Sequence, residues 1–158
     1  MEVKILLIVV QFLLSLSTEV DCECSGGWIS HGSSCYLFVH QNRHWTAAED
    51  YCRNFHAYLT NIGDYFENQF LRTHVNLYGN GADFWVGATD AMVEGGWRWM
   101  PGFDPIGYDD WYPGQPNDDY NQDCMQLCHE FHYHWDDDHC EESKPFICEK
   151  SIPGEVIG

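Results

Sequence analysis

The sequence predicts an α+β domain in which two helices flank small antiparallel sheets and one long irregular loop, the whole stapled by disulfides. Three observations predict it. All eight cysteines lie between Cys22 and Cys148, and an even count in an exported chain implies bridges rather than thiols. Two segments repeat apolar residues at helical spacing, while the other apolar runs are short and strand-like. Residues 90–123 hold neither period and are rich in Gly, Pro, Asp and Trp, which in a compact domain marks a functional loop.

The elements follow in order. Residues 22–39 read as a hairpin, with Cys24 and Cys35 bracketing Gly26-Gly27-Trp28 and Gly32; a bridge between them would close a small loop. Residues 45–56 read as a helix, because Trp45, Ala48, Cys52 and Phe55 share a face and Thr46 precedes Glu49 as in a capping box. Asp64 and Glu67 repeat that start signal, and Phe66, Phe70, Leu71 and Val75 supply a second stripe, read as core. Gly79-Asn80-Gly81 is a turn, and Phe84-Trp85-Val86-Gly87 a buried strand. Cys124–Cys128, His132–Trp135 and Phe146–Cys148 are three more strands, and residues 151–158 a frayed tail. Trp85, Trp97, Trp99 and Trp135 are assigned to the core.

Lys4 followed by Ile5–Val10 and Phe12–Leu14, then Ser15-Leu16-Ser17, predicts a signal peptide over residues 1–17, with the domain over 18–150 and the tail after it. The expected location is therefore extracellular. The apolar run is too short for a membrane span and no second one follows. Cleavage removes one acid, Glu2, and one base, Lys4, so the formal charge of −18 is unchanged. Such a chain repels nucleic acid and anionic membranes and attracts cations. The charge is clustered: Asp109, Asp110, Asp118, Asp119, Asp123, Asp136 and Asp137 fall in a stretch with almost no base.

Calcium takes six to eight hard oxygens in a forgiving geometry. Trp111-Tyr112-Pro113-Gly114-Gln115-Pro116-Asn117-Asp118-Asp119 supplies such oxygens beside a rigid turn, and Trp135-Asp136-Asp137-Asp138 supplies more. A Cys124–Cys140 bridge would tie the strands that carry them. The residues alone thus point to a calcium site.

The chain resembles the C-type lectin-like domain. The landmarks stand in order: Gly27-Trp28, Cys35-Tyr36, Trp45 to Cys52, Glu67-Asn68 with Phe70-Leu71, Trp85-Val86-Gly87, Trp111, Gln115-Pro116-Asn117, Asp123-Cys124, Trp135-Asp136-Asp137, Cys140 and Phe146-Ile147-Cys148-Glu149. They span Cys24 to about Lys150, and a single domain behind a signal peptide is similar to secreted invertebrate, perlucin-like lectins. The resemblance implies the double-loop fold with bridges Cys24–Cys35, Cys52–Cys148 and Cys124–Cys140. Cys22 and Cys128 are left over, either to pair with each other or to cross-link two chains into a homo-oligomer. It implies a principal calcium held by Gln115, Asn117, Gln122, Asp136 and Asp137, and a second held by Asp90, Glu94, Asp118 and Gln122 with the chain near Asp123. Sugar hydroxyls would meet Gln115, Asn117, Gln122 and Asp136, and Tyr120 either stacks on the sugar or packs beneath the loop. The implied function is calcium-dependent binding of glycans on cell or microbial surfaces, with innate recognition or agglutination as its role. Alternatives are a lectin-like scaffold without sugar or an acidic matrix protein of mineral.

The chain departs from the family at three places. Gln122 stands where Glu is usual, Asp136 where Asn is usual, and Gln-Pro-Asn mixes the mannose and galactose patterns, which leaves that choice open. Two carboxylates instead of three predict weaker calcium binding, since affinity follows ligand charge. An enzyme is not expected. His129 and His132 are three apart, whereas a zinc protease helix needs its histidines four apart, and no serine has a nucleophile-elbow context.

Overall fold

The computed structural model describes Cys24 and residues 26–152. The expected signal peptide, Cys22 and residues 153–158 lie outside the described residues. A short hairpin, β1 (Ile29–His31) and β2 (Ser34–Arg43), leads into α1 (Trp45–Arg53). Then come β3 (Tyr58–Leu59), α2 (Tyr65–Tyr78), β4 (Phe84–Thr89), β5 (Arg98–Trp99) and β6 (Asp104–Pro105). The chain ends in β7 (Cys124–Cys128), a 3-10 turn (His129–Phe131), β8 (His134–Asp138) and β9 (Lys144–Ser151).

The strands form one network. Its main path runs β1-β2-β9-β4-β5-β6, with β3 on β9 and the β7–β8 pair on β4. All pairings are antiparallel except β4 with β9, which meet in parallel at Trp85 and Phe146. Side chains alternate across a strand, and β4 shows the effect. Phe84, Val86 and Ala88 enter a core with Leu71, Val75, Met125 and Trp135. Trp85 enters the opposite core with Trp45, Cys52, Phe146 and Cys148. A strand buried on both faces explains the unbroken apolar run in sequence. Gly87 is required here. A Cβ would lie 2.3 Å from the Leu59 carbonyl oxygen, because the Gly87 N–H donates to Thr60 O at 2.8 Å.

Three disulfides close: Cys24–Cys35, Cys52–Cys148 and Cys124–Cys140. The Cys52–Cys148 bridge spans 96 residues and joins α1 to β9. In the chain-entropy account a loop of that length contributes about 4–5 kcal/mol.

Several local expectations are corrected. The Thr46–Glu49 capping box does not form: His44 caps α1 through Nδ1, and Glu49 pairs with Arg53 at 2.9 Å instead. α1 stops at Arg53, so Phe55 lies outside it and is exposed. Asp64 does cap α2, accepting from the N–H groups of Phe66 and Glu67. Phe66 is not core but 76% exposed, and Phe70 is only partly buried. His132 and Tyr133 precede β8 in left-handed conformations rather than starting the strand. Ser151 is not tail but the end of β9, paired with Ser34, and the Ile152 N–H just beyond it donates to Ser33 O at 2.9 Å. The four tryptophans assigned to the core are buried.

Glu149 is a buried carboxylate on β9, 5% exposed. It accepts from Ser34 Oγ at 2.8 Å, Thr60 Oγ1 at 3.1 Å and the Asn61 N–H at 3.1 Å. Burial, and then the charge of Glu67, raise its pKa above the ordinary carboxylate value. Folding therefore favours its protonated form. That contribution is complete below the unfolded pKa and is lost as pH rises through the folded value. Glu149→Gln should accordingly raise the melting midpoint at pH 8 in chelator. The gain should vanish by pH 4; a pH-independent difference between variant and parent would place its origin elsewhere.

Candidate calcium and carbohydrate site

β8 divides its labour by alternation. Trp135 and Asp137 point under the long loop, while Asp136 and Asp138 line an open cavity of about 500 Å3. Trp135 is fully buried. Its indole Nε1 donates to Asn68 Oδ1 at 2.9 Å, and its ring packs edge-on against Trp99, Tyr108 and Trp111. Its backbone accepts from the Tyr112 N–H at 2.9 Å and donates to Asp110 O at 3.0 Å. Asp110 is in turn held by Asn68 Nδ2 and Arg72 Nη1, both at 2.7 Å, and by His134 at 3.0 Å. The base of the loop is thereby fastened to α2.

Two residues on, Tyr112-Pro113-Gly114-Gln115 makes a turn closed by Gln115 N–H to Tyr112 O at 2.8 Å. Gly114 has φ +102°, which suits the third position of a type II turn after proline. The Gln115–Pro116 peptide is cis. Asp137 then clamps the rim: its carboxylate accepts from the Asn117 N–H at 3.0 and 3.1 Å and from the Asp118 N–H at 2.7 Å. Asp118 Oδ1 accepts from the Gln122 N–H at 3.0 Å, and the Asp119 N–H donates to Asn117 Oδ1 and Gln122 Oε1 at 2.9 and 3.1 Å.

Gln115, Asn117, Gln122 and Asp136 share the cavity wall. Asp137, assigned with them from the resemblance, faces the loop backbone instead. Tyr120 is 86% exposed, which removes the alternative that it packs beneath the loop. The second assigned set is divided. Asp90 accepts from the Gly95 N–H at 2.9 Å, and Glu94 and Asp123 act on its charge. The Asp123 carbonyl accepts from Thr89 Oγ1 at 2.6 Å and the Asp90 N–H at 3.2 Å. Asp118 belongs to the Asp137–Gln122 side of the loop and makes no hydrogen bond with this group.

The electrostatics single out the same places. Burial is the main cause that pushes Asp136 up to about 6, with the charges of Asp137 and Asp138 adding to it. Burial likewise pushes Asp90 up to about 6. Asp138 differs: burial works against its charge, but Lys144 at 2.6 Å, the His139 N–H and the Gln122 amide together hold it below the ordinary carboxylate value. Four buried side-chain polar atoms among the described residues lack a partner, and three are oxygens of Asp90, Gln115 and Gln126. Unmet buried acceptors are costly. The Asp90 and Gln115 oxygens lie at assigned calcium positions, so this donor set fits a hard cation. Among the described residues no three His, Cys, Asp or Glu side chains converge as a metal site by themselves, so amide and main-chain oxygens are needed to complete one.

Sequence reasoning missed Gln126. It sits opposite Asp136 in the β7–β8 register and donates Nε2 to Asp136 Oδ2 at 2.7 Å. Counting alternate residues from Cys124 would have placed it on the cavity side. Cys128 follows on the same face, buried, with its thiol raised to about 11 by burial. A buried, un-ionised thiol is a poor cross-linker, which opposes the expectation of a chain-to-chain bridge through Cys128.

Comparison with known proteins places these features in a family. The family model for the Lectin C-type domain matches residues 41–150. C-type lectin domain family 10 member A of Homo sapiens is 35% identical over 147 residues, covering 86% of this chain and 42% of that protein. The perlucin-like protein of Mytilus galloprovincialis is 30% identical over 132 residues, covering 80% of this chain and 82% of that protein. Among solved structures, the mouse scavenger receptor C-type lectin carbohydrate-recognition domain superposes with a TM-score of 0.75 at 29% identity, covering 83% of this chain and 98% of that one. A calcium-independent type II antifreeze protein superposes with a TM-score of 0.73 at 30% identity, covering 82% and 95%.

The inner and outer aspartates of β8 should behave oppositely on mutation. Asp137→Ala leaves two backbone N–H groups without their acceptor and should cost about 1–3 kcal/mol, with faster proteolysis between residues 113 and 122. Asp136→Asn keeps an acceptor for Gln126 while removing a buried charge, so its melting midpoint in chelator should equal or exceed that of the parent. Equal destabilisation by both would refute the division of roles.

Proposed function

The chain belongs to the C-type lectin domain family, and we propose that it is an exported lectin that binds neutral sugar hydroxyls through a calcium ion in the cavity beside β8. The observation that carries this reading is the buried, unpartnered Oε1 of Gln115, next to the buried and electrostatically unmet carboxylate of Asp136. Gln115, Asn117, Gln122 and Asp136 are proposed to hold the ion from the cavity wall, with Asp137 proposed to complete the set from beneath the loop backbone that it clamps. Calcium would supply positive charge and open coordination positions for two vicinal hydroxyls. Each amide or carboxylate oxygen retains a second lone pair, so Asn117 and Gln122 can keep the Asp119 N–H while accepting further contacts. The amide nitrogens then donate to the sugar oxygens, and Asp136 accepts from a sugar hydroxyl. The exposed ring of Tyr120 is proposed as an apolar platform for the sugar face. Asp90 with Glu94 and the chain near Asp123 is proposed as the second ion site.

The fold and family are those of generally non-enzymatic carbohydrate-binding domains. Export through residues 1–17, glycans of cell or microbial surfaces as ligands, and a role in innate recognition or agglutination complete the proposal. Two features favour the rival reading, a lectin-like scaffold or acidic matrix protein that binds no sugar. Gln122 replaces a carboxylate, and Lys144 holds the neighbouring Asp138 at 2.6 Å.

Calorimetric titration of the mature chain with calcium, followed by a glycan array with and without chelator, tests the proposal. Saturable calcium uptake and chelator-sensitive glycan binding are expected. Gln122→Glu should tighten calcium binding about tenfold, since affinity rises with ligand charge, and Asp136→Asn should abolish glycan binding in a folded protein. No heat of binding at millimolar calcium, or glycan binding indifferent to chelator, would leave the scaffold reading.

A further inference from the structure

α2 carries two apolar stripes, and the core uses one. Asn68, Leu71 and Val75 are the buried side. Phe66, Phe70, His74, Leu77 and Tyr78 recur at intervals of four, four, three and one and so lie along another side about 18 Å long. Phe66 is 76%, Leu77 64% and Tyr78 58% exposed. Together with His31 of β1 they border a shallow apolar depression of about 400 Å3. The patch is rigid. His31 stacks on Phe70 with ring centroids 4.3 Å apart, and His74 stacks on Phe38 at 3.7 Å. Pre-ordered aromatic anchors of this kind lose little entropy on docking.

We propose that this face docks a second copy of the same chain, giving a two-fold symmetric dimer. Charge selects that occupant. The chain carries −18, so two copies repel over most of their surfaces. None of the five stripe residues is acidic. The single carboxylate within α2, Glu67, is turned away to accept from Tyr36 Oη and the Gly63 N–H. Burial, followed by the charge of His40, lowers the pKa of His74, which keeps the stripe neutral near pH 7.4. The stripe residues themselves offer neither an anionic nor a cationic partner a complementary charge, the acids nearest Phe66 lying in the neighbouring depression with Asp64 and Glu67, whereas an identical neutral stripe meets its own kind without repulsion. The area agrees. With about 200 Å2 for a large side chain, the exposed parts of the stripe and its flanks amount to roughly 500–600 Å2 per protomer. Doubled across a two-fold axis, that reaches about 1,000–1,200 Å2, the lower bound for a specific interface. The stripe shares no lining residue with the cavity beside β8, so dimerisation leaves both cavities open. Two sites on one particle would raise avidity; that use rests on the sugar-binding reading, but the assembly does not.

Sedimentation velocity on the mature, oxidised chain at 5–100 μM, in chelator and without sugar, separates the two questions. A concentration-dependent monomer–dimer equilibrium that survives treatment with reductant under native conditions, with midpoint in the micromolar range, is expected. Phe66→Lys combined with Leu77→Lys should sediment as monomer at 100 μM with an unchanged melting midpoint. Lysine at both ends prevents ion pairing across an antiparallel interface. A parent that is monomeric at 100 μM, or a double variant that still dimerises, would overturn the proposal. So would a monomeric parent that binds neutral phosphatidylcholine vesicles through this stripe. Loss of glycan binding with an intact dimer would speak against the proposed site alone.

Discussion

The alternation of β8 is the constraint on which the rest depends. Five residues in a strand present two sides, and this strand uses them for different tasks. Trp135 and Asp137 face inward, where one fills the core and the other supplies acceptors to the loop backbone. Asp136 and Asp138 face the cavity. A shift of one residue in the register with β7 would exchange the two sets. The Cys124–Cys140 bridge brackets this pair and opposes such a slip.

The long loop has little regular structure, yet it is not free. Its backbone is accounted for by side chains from elsewhere: Asn68 and Arg72 from α2 through Asp110, and Asp137 from β8. This is how a segment without its own ladder satisfies buried polar groups. The consequence is a rim whose shape is set by the scaffold beneath it. Its oxygens are held near one another before any ligand arrives, which limits the ordering cost of binding.

Charge in the cavity is distributed unevenly. Lys144 neutralises Asp138, while Asp136 has an amide partner, Gln126, but no cation. Asp90, on the far side of the loop, is in the same position. Burial without a counter-charge makes the ionised carboxylate unfavourable, and a bound cation would relieve both. The amide at position 122 weakens that pull without removing it. A surface this acidic also restricts how the protein can associate, and the neutral stripe on α2 stands out for that reason.

Much of the fold was legible in the sequence. Helical spacing located both helices, the unbroken apolar run located β4, and cysteine order within the recognised family pattern matched the three bridges observed. Each depends on local periodicity or on an ordered series of landmarks, which a single chain displays openly. Gln115, Asn117, Gln122 and Asp136 could also be assigned to one place by that order. Three features were decided only by tertiary structure. Periodicity shows that a helix is apolar on a side but not whether a neighbour covers that side, so Phe66 read as core and is exposed. The same acidic chemistry at Asp136 and Asp137 could not reveal that one faces the cavity and the other the loop, because adjacent residues on a strand part company only when the sheet has an inside. Gln126 became a candidate only when register set it across from Asp136, since a contact between strands depends on their pairing and not on distance along the chain.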